Sequence, residues 1–218
     1  MPTITKISEQ KRSAKRRNVF LDGRFAFPCS INVVAKYRLR VGMTFSEGQI
    51  DEIKRGEVQQ ECFDKAIKYL GQRLHSRAEL QKKLAGSDFP ADIVTAVLDE
   101  LARLDYVNDE RFAKTKAMSA AEHKHHGRRR AFVELLKSGV KPDVANRALD
   151  DVYQQTNPVM LARQLIQKQL PRLRLLDPVV ARRRLVGLLQ RRGFDYDTIR
   201  PMIDEVLGSA DESPSEVG

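Results

Sequence analysis

The sequence predicts a mainly α-helical protein, in which three tandem three-helix repeats follow a small N-terminal segment that contains a β-hairpin. Three observations support this fold class. An Asp22-Gly23 pair, a strong hairpin signal, lies between two short apolar runs. From Cys62 onward the apolar residues recur at helical spacing. The helical pattern also returns at intervals of about fifty residues, which indicates an extended repeat array.

The N-terminal segment, residues 1–60, should form a small antiparallel sheet. Strands are expected over 18–21 and 24–27 on either side of the turn, and residues 4–7 can add a third strand. Pro28 should end the second strand, because proline has no amide hydrogen for the sheet ladder. A sheet of this size is marginal alone, so we expect it to pack on the rest of the chain.

Two short helices should complete this segment. Ser30 is placed to cap a helix that reaches Tyr37, and Ser46 is placed to cap another over residues 47–55. Both predictions depend on a serine hydroxyl that accepts a hydrogen bond from a first-turn amide.

The first repeat, residues 61–106, should contain three helices. Ser76 opens the second helix, Glu79 completes a capping box with it, and Gly86 ends that helix. Pro90 suits the first turn of the third helix. The apolar face of the first helix consists of Cys62, Phe63, Ala66, Ile67, Leu70 and Leu74. That of the third consists of Ile93, Val94, Val97, Leu98 and Leu101.

Shifts of 51 and 105 residues reproduce this pattern and define a second repeat over 107–153 and a third over 154–207. The third copy is looser, because Ile93 then aligns with Thr198 rather than with Ile199. Chance alignment of ordinary helical periodicity is the alternative. The first shift places Leu84, Phe89, Ile93, Leu98 and Leu101 on Leu135, Val140, Val144, Leu149 and Val152. Residues 208–218 are rich in Ser, Glu and Gly, and predict a disordered acidic tail.

Composition and charge narrow the function. The 218 residues include 39 Lys and Arg against 29 Asp and Glu, a net charge of +10, which favours an anionic partner such as nucleic acid. Trp is absent and aromatic residues make up 6%, which argues against a rich stacking surface for bases. We expect a cytoplasmic protein without a membrane span. Cys29 and Cys62 should be free thiols.

Motifs for catalysis are not found in the sequence. It has no phosphate loop, no dinucleotide-binding fingerprint and no recognisable nucleophile motif. Histidines 123, 125 and 126 are interrupted by Lys124 and followed by Gly127, which argues against a metal site and favours a solvated helix end. We therefore expect a protein that is not an enzyme and needs no cofactor or metal.

Three basic clusters are the candidate binding residues. Contacts from Lys and Arg to phosphates give affinity without sequence information, so the clusters predict weak, salt-sensitive and sequence-tolerant DNA binding. The alternative for each cluster is a solvated helix face or a disordered arm. The clusters are Lys11, Arg12, Lys15, Arg16 and Arg17; Arg128, Arg129 and Arg130; and Arg182, Arg183, Arg184, Arg191 and Arg192.

An ordered motif begins in the first repeat and continues into the second. It comprises Ala66-Ile67-Lys68-Tyr69-Leu70, Arg73-Leu74-His75-Ser76-Arg77-Ala78-Glu79-Leu80, Lys83-Leu84, Phe89, Leu98-Asp99-Glu100-Leu101 and Tyr106-Val107-Asn108-Asp109-Glu110-Arg111-Phe112-Ala113. This motif resembles the signature of the RecX family, bacterial regulators of the recombinase RecA. A second block, around Gly127, Glu134-Leu135 and Gly139-Val140, is similar to the family's middle unit. The chain departs from the family at Asn108, Ala131 and Ser138, where an acidic, a branched aliphatic and a basic residue are usual.

The resemblance implies a bent, elongated array of three-helix repeats that binds RecA in the groove of its filament on single-stranded DNA. There it would inhibit the ATPase, strand exchange and coprotease activities, without catalysis or a cofactor of its own. We also expect the protein to be a monomer and to bind single-stranded or double-stranded DNA through its basic clusters. Tyr69, Tyr106 and Tyr153 lie near helix ends and should pack into the core.

Two other functions stay open. Three-helix units also occur in helix-turn-helix proteins, which read bases from one exposed helix. The third helix of the first repeat instead offers Thr95 and the acids Asp92, Asp99 and Glu100, whose charges repel phosphate. The third possibility is an adaptor for another acidic protein, which would bind its partner without an effect on DNA.

Overall fold

A computed structural model describes residues 1–11 and 13–208. Arg12 and the predicted tail beyond Gly208 lie outside the described residues. The chain divides into two compact units: the first comprises residues 1–75 and 80–107, and the second comprises residues 76–79 and the chain from Asn108 onward. Neither unit contains, in its described part, a helix long and apolar enough to cross a membrane.

The first unit begins with a three-stranded antiparallel sheet in the order β1-β2-β3. The strands are β1 (Ile4–Gln10), β2 (Ser13–Leu21) and β3 (Arg24–Ser30). Asp22 and Gly23 have φ angles of 48° and 80°, and two positive angles at the centre of a two-residue loop match the right-handed twist of a hairpin. The predicted hairpin and third strand are therefore confirmed.

The expectation that Pro28 ends its strand is wrong. The strand continues to Ser30, and Pro28 lies opposite Asn18 of β2. Since β3 is at the edge of the sheet, a proline there need not remove a ladder hydrogen bond.

Two helices pack on this sheet, α1 (Ile31–Lys36) and α2 (Glu47–Leu70). Their predicted caps are confirmed: Ser30 accepts from the amide of Val33, and Ser46 forms a capping box with Gln49. The predicted end at residue 55 is wrong, because α2 runs on for 24 residues in all.

The boundary expected between residues 60 and 61 consequently falls inside one continuous helix. Gly56, which weakens the helical signal in the sequence, leaves room for a neighbouring ring. A Cβ atom at Gly56 would lie 2.7 Å from the hydroxyl oxygen of Tyr37. Cys29 and Cys62 are free thiols, as predicted, and burial raises the pKa of Cys29 to about 11.

The remaining helices form three-helix repeats, which confirms the predicted fold class. The first repeat uses the C-terminal part of α2 with α3 and α4, the second uses α5 to α7, and the third uses α8 to α10. Their bounds are α3 (Arg77–Ala85), α4 (Ala91–Arg103), α5 (Asp109–Glu122), α6 (Arg128–Lys137), α7 (Pro142–Tyr153), α8 (Pro158–Leu173), α9 (Pro178–Arg191) and α10 (Tyr196–Leu207).

The turn after the second helix of each repeat shows the periodicity most clearly. Asp88, Gly139 and Gly193 occupy equivalent positions and have φ angles of 60°, 76° and 89°. Such a left-handed residue ends a helix and turns the chain so that the next apolar residue can pack back on it. The leucines four positions earlier, Leu84, Leu135 and Leu189, are all fully buried. In the looser third copy, Ile199 is buried in place of Thr198.

The three tyrosines expected in the core behave differently. Tyr69 is half-buried against the core of the first repeat, and the hydroxyl of Tyr153 donates to the backbone carbonyl of His126 at 2.7 Å. Tyr106 is 53% exposed, so the expectation of core packing is wrong there. It lies in the connection between α4 and α5, three residues after the end of α4.

Within the second unit, the backbones of the second and third repeats approach each other closely at one point. The amide of Gly127 donates to the carbonyl of Arg192 at 2.8 Å. A Cβ atom at Gly127 would lie 2.3 Å from the carbonyl oxygen of Gly193, and one at Gly193 would lie 2.5 Å from the amide nitrogen of Arg130. Two glycines therefore permit this contact.

We expect Gly127→Ala to lower the free energy of unfolding by about 1–3 kcal/mol, because a methyl group cannot enter this contact without backbone movement. Denaturant unfolding followed by circular dichroism measures the effect. Gly48→Ala is the matched control, since a Cβ atom there meets nothing within 4 Å. Equal stability of the Gly127→Ala variant and the wild type would show that the repeats do not depend on this close approach.

Candidate nucleic-acid interface

In the first basic cluster, the arginines of known position pair with acidic side chains of the N-terminal fold. Arg16 contacts Glu57 at 3.0 Å and Glu61 at 2.9 Å, and Arg17 contacts Glu9 at 3.6 Å. Burial raises the pKa of Glu57, while the amide of Ser30, at 2.6 Å, and Arg16 stabilise its charged form.

Lys11 and Lys15 are exposed, and Arg12 lies outside the described residues. The first cluster therefore presents these two lysines, whereas its arginines of known position are engaged with acidic groups.

The first arginine of each of the other clusters also serves the fold. Arg128 contacts Asp150 at 2.6 Å, and Arg182 contacts Asp204 in the same way 54 positions later. Each pair joins the second helix of a repeat to its third helix. Because the pair recurs at equivalent positions, we assign both arginines to the repeat architecture rather than to a ligand.

Three arginines from both repeats line one groove in the second unit. Arg129 and Arg130 come from α6, and Arg191 comes from the end of α9. The groove has a volume of about 560 Å³, and its walls include Phe194 and Tyr196. We call it the α6–α10 groove.

A second groove, between α8 and α9, is also lined with arginines. It has a volume of about 460 Å³ and contains Arg172, Arg183, Arg184 and Arg191. Arg191 lines both grooves, and we treat the two grooves, which meet at this residue, as one candidate surface. We call this surface the basic track; it consists of Arg129, Arg130, Arg172, Arg183, Arg184 and Arg191.

Most of the track carries charge that other side chains do not neutralise. Among the described residues, no ion pair is found for Arg129, Arg183 or Arg184, and all three are exposed. Arg130 is the exception, with its Nε atom 3.4 Å from Glu134. Arg192, predicted to join the set, instead donates to the carbonyl of Lys124 at 2.8 Å.

A partly buried polar cluster, formed by Lys124, His126, Glu134 and Tyr153, adjoins Arg130 of the track. Partial burial raises the pKa of Glu134, but the hydrogen bond from Lys124 and the charges of His126 and Arg130 outweigh it and hold the pKa below its usual value. His126 is only 7% exposed, so the prediction of a solvated helix end is wrong for this residue. Burial lowers the pKa of His126, and burial raises that of Tyr153 to about 12.

The described residues contain no group of three or more His, Cys, Asp or Glu side chains placed to hold a metal ion. Sequence reasoning missed two residues of the site, Arg172 and Tyr196. Neither belongs to a run of like residues, and only the packing of α8 on α9 and of α10 beside α6 brings them to the grooves.

Sequence models of four domains match the chain in order. The N-terminal domain of regulatory protein RecX matches residues 2–46. The first RecX three-helix domain matches residues 62–101, the second matches 108–149 and the third matches 159–203.

Curated relatives match over most of their length. Regulatory protein RecX of Bacillus velezensis is 30% identical over 205 residues, which cover 94% of this chain and 78% of the relative. Regulatory protein RecX of Bacillus subtilis is 29% identical over a match that covers 97% of this chain and 80% of the relative.

Two crystal structures resemble this fold. One, of regulatory protein RecX, has a TM-score of 0.76 and 25% identity and covers 94% of this chain and 100% of its own. The other, RecX from Lactobacillus salivarius, has a TM-score of 0.58 and 23% identity, and the match covers 69% of this chain and 97% of that structure. At this identity the likeness supports the fold alone.

The basic track predicts how salt should weaken binding to single-stranded DNA. Replacing Arg183 and Arg184 together with Ala should reduce the slope of log K against log salt by about 0.7 for each lost phosphate contact. Arg128→Ala is the control and should leave the slope unchanged, because Arg128 already contacts Asp150. Fluorescence anisotropy over a salt series measures the slope. An equal reduction in both variants would contradict the division between structural and free arginines.

The buried histidine predicts a loss of stability in mild acid. Because burial lowers the pKa of His126, the unfolded chain binds a proton more readily than the folded chain. The stabilisation is complete above the ordinary histidine pKa of about 6.5 and should decline as the pH falls below it toward the lowered pKa of the folded protein. His126→Gln should reduce this decline in melting temperature, whereas substitution of the exposed His123 by Gln should not. Identical pH profiles for both variants would exclude His126 as the cause.

Proposed function

Since the chain belongs to the RecX family of regulatory proteins, we propose that it regulates the recombinase RecA. In this proposal the protein binds the RecA filament on single-stranded DNA and inhibits its ATPase, strand exchange and coprotease activities. The observation that carries the proposal is the ordered match of four RecX domains along the chain, together with a relative that is matched over 78% of its length.

The basic track supports the DNA side of this proposal. A filament presents regularly spaced phosphates, and the track extends over two consecutive repeats of one unit. Contacts from arginines to phosphates supply affinity without sequence preference, which suits a protein that must act wherever RecA assembles.

The protein side of the proposal rests on repetition. A chain of similar units can contact more than one protomer of a filament, and the second contact then forms at a high effective concentration. We further propose that the protein acts in the cytoplasm as a monomer, without a catalytic step or cofactor of its own.

A sequence-reading helix-turn-helix protein is the competing proposal, and the charges of α4 disfavour it. Asp92 is exposed and forms an ion pair with Arg55, and Asp99 is exposed on the same helix. A helix that enters the major groove needs Arg, Asn or Gln at such positions.

The decisive experiment is DNA-dependent ATP hydrolysis by RecA, with this protein added at well below one chain per RecA protomer. We expect inhibition in this range, because one bound chain affects several protomers. Arg129→Glu and Arg191→Glu should each weaken inhibition by about tenfold, since each reverses a charge on the track.

Lys82→Glu serves as the control for these variants, because Lys82 is an exposed cation of α3 that lines neither groove. It should inhibit as the wild type does. Absence of inhibition by the wild-type protein even at one chain per protomer would reject the proposed regulation and favour a general DNA-binding module.

A further inference from the structure

The α6–α10 groove combines positive charge with an exposed aromatic ring. Three aromatic side chains in the described part of the chain are about half exposed: Phe25 at 57%, Tyr106 at 53% and Tyr196 at 48%. Phe25 packs edge-on against Phe20, with ring centroids 5.9 Å apart. Tyr196 lies in a groove with three arginines, and this combination calls for a ligand with both an anionic and a flat apolar part.

We propose that the α6–α10 groove binds one nucleotide unit of single-stranded DNA, with its base stacked on Tyr196 and its phosphates held by Arg129, Arg130 and Arg191. This inference rests on the DNA binding in the proposed function and adds to it a specific site and a strand preference. It is compatible with the expectation, drawn from composition, that a rich stacking surface for bases is absent, because it needs only one ring.

The chemistry of the groove matches a nucleotide on both counts. Guanidinium groups form paired hydrogen bonds with phosphate oxygens, and Arg129 and Arg191 have no ion-pair partner among the described residues. A tyrosine ring offers a stacking face to any base, so it adds affinity without a sequence preference. The volume of about 560 Å³ is within the range of pockets that hold small ligands.

A ring of this kind selects single strands over duplexes. In a duplex both faces of each internal base are covered by its neighbours, whereas an unpaired strand can turn a base toward a protein side chain. A site built from arginines alone would bind both forms. Tyr196 is therefore the residue that determines the preference.

The position of Tyr196 keeps its ring beside the arginines. It is the first residue of α10, directly after Asp195, and the preceding turn at Gly193 packs against Arg130. Asp195 also lines the groove, and Glu134 lies near Arg130. Three cations against these two acids leave the groove with a net positive charge.

The test compares two labelled oligonucleotides that carry the same number of phosphates, an oligo-dT and an abasic strand without bases. Binding of the full-length chain is measured by fluorescence anisotropy. Tyr196→Ala should weaken binding to oligo-dT by about fivefold to tenfold and leave binding to the abasic strand unchanged. Tyr196→Phe should bind both as the wild type does, because it keeps the ring.

Tyr106→Ala is the matched control, since it removes a similarly exposed tyrosine outside the groove. Circular dichroism verifies that each variant is folded as the wild type. Equal weakening on both oligonucleotides would assign Tyr196 a structural role and overturn the proposal, as would unchanged affinity for oligo-dT.

The outcome is separable from that of the proposed RecA regulation. Selective loss of oligo-dT binding in Tyr196→Ala supports the stacking site even if the wild-type protein does not inhibit RecA. Inhibition of RecA by a wild-type protein that binds both oligonucleotides equally would retain the regulation and reject the stacking site.

Discussion

The contact between the backbones at Gly127 and Gly193 is the constraint on which the candidate site depends. It brings the start of α6 against the turn between α9 and α10 with no side chain in between. Arg129 and Arg130 thus lie beside Arg191, although some sixty residues separate them in the chain. The hydroxyl of Tyr153 and the guanidinium of Arg192 reinforce the same junction, because both donate to backbone carbonyls just before α6.

The arginine clusters illustrate how one residue type serves two purposes within a few positions. Consecutive helical residues point about 100° apart, so three neighbours cannot face the same way. In the second and third repeats the first arginine turns toward the third helix and pairs with an aspartate. The next two turn outward and supply the charge of the grooves. The ion pair of the first arginine thus sets the rotation of the helix, and this rotation directs the next two arginines toward the grooves.

Much of the fold follows from local signals in the sequence. The hairpin at Asp22-Gly23 and the caps at Ser30 and Ser46 each depend on a few adjacent residues, and all three are found as predicted. The errors arose where distant contacts override local preference. Gly56 resembles a break until the ring of Tyr37 is seen against it, and Pro28 resembles a stop until β3 is seen to be an edge strand.

The candidate site was less accessible to sequence reasoning. Runs of basic residues correctly indicated α6 and α9, but the sequence alone did not distinguish arginines that pair within the protein from arginines that are free to bind a ligand. Arg16, Arg128, Arg182 and Arg192 all have partners many positions away. Tyr196 gave no signal at all, because its significance comes from neighbours in α6 rather than from its own surroundings in the chain.

The continuity of α2 has a mechanical consequence. Its 24 residues form a rod about 36 Å long that supports the sheet at one end and supplies the first helix of the first repeat at the other. A tilt of about 10° at the sheet would displace the far end by about 6 Å, given the stiffness of an uninterrupted helix. The N-terminal segment and the first repeat are thus mechanically coupled, because α2 transmits a displacement of the sheet to the helices of that repeat.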